Sequence, residues 1–215
     1  MLTANINEVV VLNVADKNIS DLTGIESFTA LTFSSCSDNN LKSLDLSSNV
    51  NLTDLYSHVN QLSSLNCRSN KLPDLDVNPN SALTFLNCSS NEISSLDISG
   101  LVNIEQLFLQ QNQLTTVNLP SSGSSLWKLE INENQMTDID VSLFGNLRDL
   151  GVHQNQITSL NLKNGNNSNF ASFNSEYNPN LTCIFVDDSG WSNDNWSAYK
   201  YAPSTFVTHQ LIVGT

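Results

Sequence analysis

One repeated pattern of apolar residues, each copy with an asparagine at the same place, limits what this chain can fold into. Residues 83–98 read as LxxLxLxxNxLxxLxL, with Cys88 in the third apolar position and Asn91 as the asparagine. Further copies follow at intervals of about 21 residues, beginning at Ile104, Leu126 and Leu147. A repeat of roughly 20 to 29 residues indicates a solenoid, in which each coil buries its apolar face against its neighbours.

The alternation within one copy predicts a short strand. Leu86 and Cys88 are two residues apart, so on an extended chain both point into the interior while Asn87 points outward. Equivalent strands of successive coils then lie about 4.8 Å apart as a parallel sheet. The second half of each copy carries its own LxL, as at Leu96 and Ile98. This predicts short strands or extended segments, with few helices, on the opposite side.

The asparagine of each copy predicts a ladder of buried amides. Where a strand ends, the chain turns inward and its N–H and C=O groups lose their partners in the sheet. An amide side chain both donates and accepts hydrogen bonds, so one asparagine per coil can satisfy these groups. The predicted ladder consists of Asn39, Asn60, Asn70, Asn91, Asn112, Asn134, Asn155 and Asn178.

The spacing of the copies is interrupted once. After Asn60, the next asparagine of the pattern is Asn70, only ten residues later. Because each copy consists of two similar halves, this predicts an extra half-repeat near residues 61–72. Two geometries fit this prediction: a locally widened turn of about 31 residues, or a small displaced strand.

The pattern divides the chain into three parts. Residues 1–28 match it loosely and predict a degraded N-terminal capping turn, and residues 29–178 carry the repeats. Residues 179–215 abandon the pattern and are rich in aromatic residues, which suits a C-terminal cap over the core of the last coil. We therefore predict one right-handed leucine-rich repeat solenoid of the β/β type, with a parallel sheet on its concave side and short strands or extended segments on its convex side.

Charge and cysteine content exclude several classes of protein. The net charge is −13 and only eight Lys and Arg residues are present, which argues against a nucleic-acid partner. No stretch of 18 apolar residues occurs, so no membrane span is predicted. Without a CxxC pair or a His–Cys cluster, neither a metal nor a cofactor is predicted. We expect free, mostly buried thiols at Cys36, Cys67, Cys88 and Cys183.

The pattern resembles the nested 21-residue repeats, called IRREKO repeats, of secreted bacterial leucine-rich repeat proteins, and more loosely the repeats of internalin-like surface proteins. The segment from Asn18 to Ile25 is similar to the start of such arrays, and the segment from Asn178 to Asp188 is similar to their end. The resemblance covers nearly the whole chain. It implies a secreted or cell-surface protein that binds other molecules without catalysis. No export signal follows Met1, which fits either a cytoplasmic protein or a piece of a longer one, and we expect the latter.

Outward-facing aromatic residues predict a binding surface. If the first strand of every copy lies in one concave sheet, four aromatic residues form one exposed group, with a histidine and an arginine beside it. Aromatic and Arg side chains often dominate binding interfaces, although scattered exposed aromatic residues are common on any surface. The predicted binding residues are Phe33, Tyr56, His58, Arg68, Phe85 and Phe108.

A second outward column is acidic. Stacked carboxylates could bind calcium. They could also be an ordinary solvated surface, because charges about 5 Å apart repel by only about 1 kcal/mol in water. We expect the solvated surface. The column consists of Asp45, Asp76, Asp97, Asn118, Asp140 and Asn161.

These features predict a monomeric, non-enzymatic module that recognises a protein partner through its concave face. Carbohydrate binding, with Tyr56, Phe85 and Phe108 as stacking platforms, is an alternative, and a structural spacer of a larger surface protein is a third possibility. Catalysis is not expected, because His58 and His153 would lie four or five coils, about 20 to 25 Å, apart. No nucleophile elbow or phosphate-binding loop is present either.

Overall fold

The chain folds as a coil of short parallel strands. The computed structural model describes residues 5–121 and 125–208, so the parts of the predicted caps at residues 1–4 and 209–215 lie outside the described residues. The strands are β1 (Val11–Asn13), β2 (Phe33–Ser35), β3 (Ser43–Asp45), β4 (Asp54–Tyr56), β5 (Ser64–Asn66), β6 (Phe85–Asn87), β7 (Ser95–Asp97), β8 (Gln106–Phe108), β9 (Thr116–Asn118), β10 (Lys128–Glu130), β11 (Asp138–Asp140), β12 (Asp149–Gly151), β13 (Ser159–Asn161), β14 (Ser172–Asn174), β15 (Cys183–Phe185) and β16 (Thr205–Val207). Helical segments are the 3₁₀ turns Ile6–Glu8, Ile25–Ser27 and Asn167–Asn169 and the α-helix α1 (Ser189–Trp196).

The strands form two walls that enclose one core. Wall B is a single seven-stranded sheet in the order β3-β5-β6-β8-β10-β12-β14. Wall A consists of three sheets in succession, β1-β2-β4, β7-β9 and β11-β13-β15-β16. Every pairing is parallel, and the coils number about nine, of about 21 residues each. The prediction of a parallel-strand solenoid with few helices is confirmed.

Wall A is interrupted after β4. The residue just before a strand normally donates its N–H to the preceding coil, as Thr84 does to Ser63 at 2.9 Å and Thr115 does to Ser94 at 3.0 Å. Pro73 occupies this place in the coil that follows β4, and proline has no N–H to donate. Residues 74–77 are accordingly not in a strand, and the sheet ends at β4.

The interior is filled by the alternating apolar residues of both walls. In β6, Leu86 has no exposed surface, whereas its neighbours Phe85 and Asn87 are half-buried and face outward. The same alternation holds in β7 on wall A, where Leu96 is buried between two exposed residues. Core residues extend without a break from Ile25 to Phe206. No coil can bury its apolar residues alone, so stacking supplies the stability.

Each ladder asparagine holds two coils together, as Asn91 illustrates. Its Nδ2 donates to the carbonyl oxygens of Cys67 and Cys88 at 3.0 Å each and of Ser89 at 3.2 Å. Its Oδ1 accepts the N–H of Leu72 at 3.0 Å. Cys67 and Leu72 belong to the preceding coil, so one amide satisfies the corner of its own coil and that of its neighbour.

The same arrangement recurs along the whole solenoid. Every ladder asparagine donates to carbonyl groups of its own coil and to one carbonyl of the preceding coil, and its oxygen accepts a backbone N–H of that preceding coil. The asparagines with this pattern are Asn39, Asn60, Asn70, Asn91, Asn112, Asn134, Asn155 and Asn178.

The strand register bears on the prediction of an extra half-repeat near residues 61–72. On wall B, Ser43 pairs with Ser64 and Ser64 pairs with Phe85, so successive strands remain 21 residues apart through this region. On wall A, Phe33 pairs with Asp54 at the same spacing. On wall B this register shows neither a widened turn nor a displaced strand in the region.

The asparagine ladder changes walls at this point instead. Asn39 and Asn60 follow the wall A strands β2 and β4, whereas Asn70 and the later ladder members follow wall B strands. The opposite corner is a compact turn, in which the N–H of Leu52 donates to the carbonyl of Asn49 at 3.0 Å. From Asn80 onward the compact turn follows wall A instead, and there the carbonyl of Asn80 accepts the N–H of Leu83 at 3.0 Å. Because both halves of a coil have nearly equal length, the exchange leaves the spacing of coils unchanged.

The residue before each ladder asparagine has a left-handed backbone conformation. Eight such residues have φ between 52° and 59°, and none of them is glycine: Asp38, Val59, Ser69, Ser90, Gln111, Glu133, Gln154 and Tyr177. This conformation turns the chain so that the following asparagine points inward. It costs roughly 1 to 2 kcal/mol for most side chains and is least favourable for a β-branched residue, whereas Asn tolerates it better.

Val59 is the β-branched member of this set, which leads to a stability prediction. Because Val59 is more than half exposed and has φ 52°, we expect Val59→Asn to raise the free energy of unfolding by about 1 kcal/mol. Urea denaturation would measure the change. Val102→Asn is the matched control, since Val102 is similarly exposed but has no left-handed φ. Equal effects of the two substitutions would contradict the explanation.

Aromatic residues cover the C-terminal end of the core. Asp188 caps the N-terminus of helix α1, where its Oδ1 accepts the N–H groups of Gly190 at 2.8 Å and Trp191 at 3.1 Å. At the end of the helix, Trp196 is buried, with its ring centroid 4.7 Å from that of Phe173. Strands β15 and β16 extend wall A past residue 178. The exact limits of the two caps and the repeat region remain a prediction. None of the helices within residues 5–121 and 125–208 is long and apolar enough to cross a membrane.

Candidate functional site

The structure divides the predicted binding residues between the two walls. Phe33 and Tyr56 lie on β2 and β4 of wall A, and His58 follows β4. The other three, Arg68, Phe85 and Phe108, lie on or just after strands of wall B. The prediction that the four aromatic residues form one group is therefore wrong. They form two pairs on different walls, because the repeat changes walls between Asn60 and Asn70.

The wall A pair borders an acidic cavity. The rings of Phe33 and Tyr56 have centroids 5.6 Å apart and are tilted by 41°. Tyr56 is 48% exposed. The cavity beside it, at the break after β4, is lined by Asp54, Leu55, Tyr56, Ser57, His58, Asp74 and Asp76. Its carboxylates make this surface of wall A strongly negative.

The wall B pair belongs to a continuous row of contacts across neighbouring strands. The rings of Phe85 and Phe108 have centroids 5.6 Å apart and are tilted by 45°. The Nζ of Lys128 lies 5.7 Å from the centroid of Phe108 and forms a salt bridge of 3.0 Å with Glu130. The Glu130 carboxylate lies over Gly151 and would have to move to make room for a larger residue there. These contacts hold the row on a rigid sheet.

Sequence reasoning missed two residues that extend this surface. Trp127 lies immediately before β10 and is half-buried, and Arg148 lies at the same place in the next coil. Both line an open cavity of ≈ 570 Å³ together with Glu105 and Asp149. Trp127 is the only tryptophan among residues 29–178, which was the available signal. It was missed because it lies one residue before the strand, outside the columns of outward-facing strand residues.

The acidic column also divides between the walls, and its oxygens have partners. Asp45 lies on wall B, whereas Asp97 and Asp140 lie on wall A. Each carboxylate accepts the N–H of the residue two positions later, as Asp97 does from Ser99 at 3.0 Å. This backbone hydrogen bond, together with one from the Ser99 side chain, lowers the pKa of the Asp97 carboxyl. Within residues 5–121 and 125–208, no three His, Cys, Asp or Glu side chains are placed to hold a metal ion.

The two histidines of the described residues, His58 and His153, do not meet in the structure. His58 follows β4 on wall A and His153 follows β12 on wall B. They are therefore separated by the core as well as by several coils, and cannot act together on one substrate.

The four cysteines are free, and three are buried. Burial raises the pKa of the Cys36 thiol to about 11 and that of Cys88 to about 12. Burial also raises the pKa of Cys67 well above its usual value, with a further contribution from neighbouring Cys88. Because the thiolate is the reactive form, all three should be inert at neutral pH.

Thiol reactivity can test this burial. In the folded protein at pH 8, we expect only the half-buried Cys183 to react rapidly with a thiol reagent, whereas all four thiols react in urea. Mass spectrometry of alkylated peptides would identify the modified residue. The variant Cys183→Ser should show no rapidly reacting thiol. Rapid modification of Cys67 or Cys88 in the folded protein would contradict the structure.

The parallel walls, the coil length and the asparagine ladder together form a leucine-rich repeat fold. No family model matches the chain, and no curated protein matches it. Among solved structures, the functional domain of the internalin InlJ from Listeria monocytogenes, described as including a cysteine ladder, is 29% identical, with a TM-score of 0.37. The match covers 84% of this chain and 44% of that domain, so the chain spans less than half of the InlJ domain. A leucine-rich repeat protein of Leptospira interrogans is 17% identical, with a TM-score of 0.35, over 96% of this chain and 75% of that one.

Proposed function

We propose that this protein is a non-catalytic module that binds a protein partner through the outer face of wall B. The observation that carries the proposal is the row formed by Phe85, Phe108 and Lys128 on an unbroken seven-stranded sheet. Such a sheet is a rigid support, and aromatic residues near its centre can contribute most of the binding energy.

In the middle of the solenoid, from β5 to β9, differences in exposure support wall B as the concave side. Ser64 and Asn87 face outward on wall B and are half-buried. Ser95 and Asn118 occupy equivalent outward positions on wall A and are exposed. Identical side chains are more crowded on the inner side of a bend than on the outer side. A concave surface of this kind can surround part of a partner.

The composition of this surface suits protein recognition. Trp127 and Arg148 line a cavity together with Asp149, the salt-bridge partner of Lys128, and Trp and Arg are enriched among residues that dominate protein interfaces. The Nζ of Lys128 already forms salt bridges with Glu130 at 3.0 Å and with Asp149 at 3.8 Å. Their contribution is therefore expected to be to orientation more than to affinity.

A pair of matched double variants tests the proposal. Partners captured from an extracellular protein fraction are purified, and their dissociation constants are measured with each variant. We expect Phe85→Ser with Phe108→Ser to weaken binding at least about 30-fold, the loss of one 2 kcal/mol hot spot. The wall A control, Phe33→Ser with Tyr56→Ser, should stay within about twofold.

The outcomes separate the competing functions. Loss of binding in the wall A variant alone would place recognition on the other wall. Binding of neutral glycans that depends on Phe85 and Phe108 would favour the carbohydrate alternative for this face. A shared platform of Tyr56, Phe85 and Phe108 cannot form, because Tyr56 is on the other wall. Unchanged binding in both variants would favour a spacer role.

Two further properties belong to the proposal. The resemblance to secreted bacterial repeat proteins supports a location outside the cell, which antibody labelling of intact cells would test. A monomer is also proposed, and light scattering after gel filtration should give a mass near 23.6 kDa.

A further inference from the structure

An aromatic cavity of ≈ 390 Å³ lies at the C-terminal end of wall B, away from the Phe85–Phe108 row. It lies between β14, the last strand of wall B, and helix α1. Its lining residues are Phe170, Ala171, Ser172, Phe173, Asn174, Trp191, Asn195, Trp196 and Tyr199. The volume falls within the range of about 300 to 1,000 Å³ that is usual for ligand sites.

The floor and the mouth of the cavity are both aromatic. Phe173 and Trp196 form the floor and are each 4% exposed. Trp191 stands edge-on to Trp196, with ring centroids 5.3 Å apart and an angle of 83° between the planes. Tyr199 is 52% exposed at the mouth, and its backbone is held in place because its carbonyl accepts the N–H of Ser175 at 2.8 Å. The need to cover the end of the core explains why Phe173 and Trp196 are aromatic, but it does not explain the exposed ring of Tyr199.

Every polar side chain that lines this cavity is uncharged. These are Ser172, Asn174, Asn195 and Tyr199. Four other cavities of the described residues are each lined by two or more carboxylates. In a chain with a net charge of −13, a neutral cavity favours an uncharged ligand, because a charged one would lose its hydration without gaining an opposite charge.

The two asparagines offer complementary hydrogen-bonding groups. Asn174 uses its Oδ1 to accept the N–H of Glu176 at 2.9 Å, which leaves its Nδ2 without a partner among the described residues. Asn195 uses its Nδ2 to donate to the carbonyl of Trp191 at 2.8 Å, which leaves its Oδ1 available. The cavity thus presents both a donor and an acceptor beside aromatic faces.

We propose that this cavity binds a neutral pyranose unit of a glycan. A pyranose has an apolar face of C–H groups that packs against aromatic rings, and hydroxyl groups around its edge that both donate and accept. An aliphatic peptide side chain would pack on the rings but would leave the two amides unpaired, which weakens binding. The site is separate from the protein-binding surface proposed for wall B, so either can exist without the other.

The test is a titration of the full chain with methyl glycosides, followed by the indole N–H signals in NMR spectra. Methyl glycosides of neutral hexoses and N-acetylhexosamines should shift the indole signals. Their dissociation constants should be about 1 to 10 mM, which corresponds to a binding free energy of roughly 3 to 4 kcal/mol. Glucuronic and sialic acid glycosides should bind at least about tenfold more weakly. The variant Tyr199→Ala should weaken binding about tenfold or more.

Matched controls make each outcome decisive. Tyr177→Ala removes another exposed tyrosine, which lies outside the cavity, and should leave the dissociation constant unchanged. The Phe85→Ser, Phe108→Ser variant should also bind the sugar normally, which separates this proposal from the one for wall B. The proposal is overturned if no neutral glycoside binds, if charged glycosides bind more tightly, or if Tyr199→Ala, with an unchanged circular dichroism spectrum, binds as well as the wild type. It is likewise overturned if short aliphatic peptides compete better than sugars.

Discussion

Asn155→Ala is expected to lower the free energy of unfolding by about 3 to 5 kcal/mol. Asn155 is 1% exposed. Its Nδ2 donates to the carbonyl groups of Ile131 at 3.0 Å and Val152 at 3.2 Å, and its Oδ1 accepts the N–H of Met136 at 2.9 Å. Removing the amide leaves these buried backbone groups unpaired, and each costs about 1 to 3 kcal/mol, with partial relaxation. Urea denaturation monitored by circular dichroism would measure the loss.

Two further variants make this prediction specific to the amide. Asn146→Ala changes an exposed asparagine and should alter stability by less than about 0.5 kcal/mol. In Asn155→Asp, an ionised carboxylate would face carbonyl oxygens, so the pKa of the new carboxyl should be higher in the folded state than in the unfolded state. The stability of this variant relative to the wild type should therefore be greatest at acidic pH and fall as the pH rises through that pKa. A loss below about 1 kcal/mol in Asn155→Ala, or the opposite pH dependence, would show that the ladder is not needed for stability.

Leu107→Ala is expected to cost about 3 to 5 kcal/mol. Leu107 has no exposed surface and lies in a central coil, where its strand register places it between Leu86 and Leu129. Truncation removes buried methyl groups and leaves a cavity that coils on both sides cannot collapse to fill. Because the stability of a solenoid depends on contacts between neighbouring coils, hydrogen exchange should accelerate first in β6, β8 and β10.

Leu143 provides the control for this experiment. It is 66% exposed, so Leu143→Ala should change stability by less than about 0.5 kcal/mol. Uniform acceleration of exchange throughout the solenoid, instead of in the coils around Leu107, would show that the coils unfold as one cooperative unit.

The general form of the fold was predictable because it depends on local, repeated signals. Alternation at Leu86 and Cys88 predicts a strand whatever the rest of the chain does, and a fixed asparagine predicts a corner. The wall on which a strand lies is different, because both halves of a coil have the same apolar period. Counting copies of the pattern therefore placed Tyr56 and Phe85 on one surface, while their actual positions depend on which coil each strand pairs with.

The candidate sites show the same division. The pairs Phe33–Tyr56 and Phe85–Phe108 were visible as outward aromatic residues, but their separation was not. The cavity at the C-terminal end could not be predicted, since Trp191 and Tyr199 lie in a segment without the repeat. Where no period is present, the position of a side chain is decided by packing against distant residues such as Phe173.

The sequence alone determined that this chain coils, how many residues each coil contains and which amides close its corners, because these follow from the alternation of side chains and the hydrogen-bonding needs of the backbone. Tertiary structure alone decided which wall each strand joins, where the ladder crosses from one wall to the other and which aromatic rings meet. Those outcomes depend on strand register between coils, and two halves of nearly equal length and period leave that register open until the coils stack.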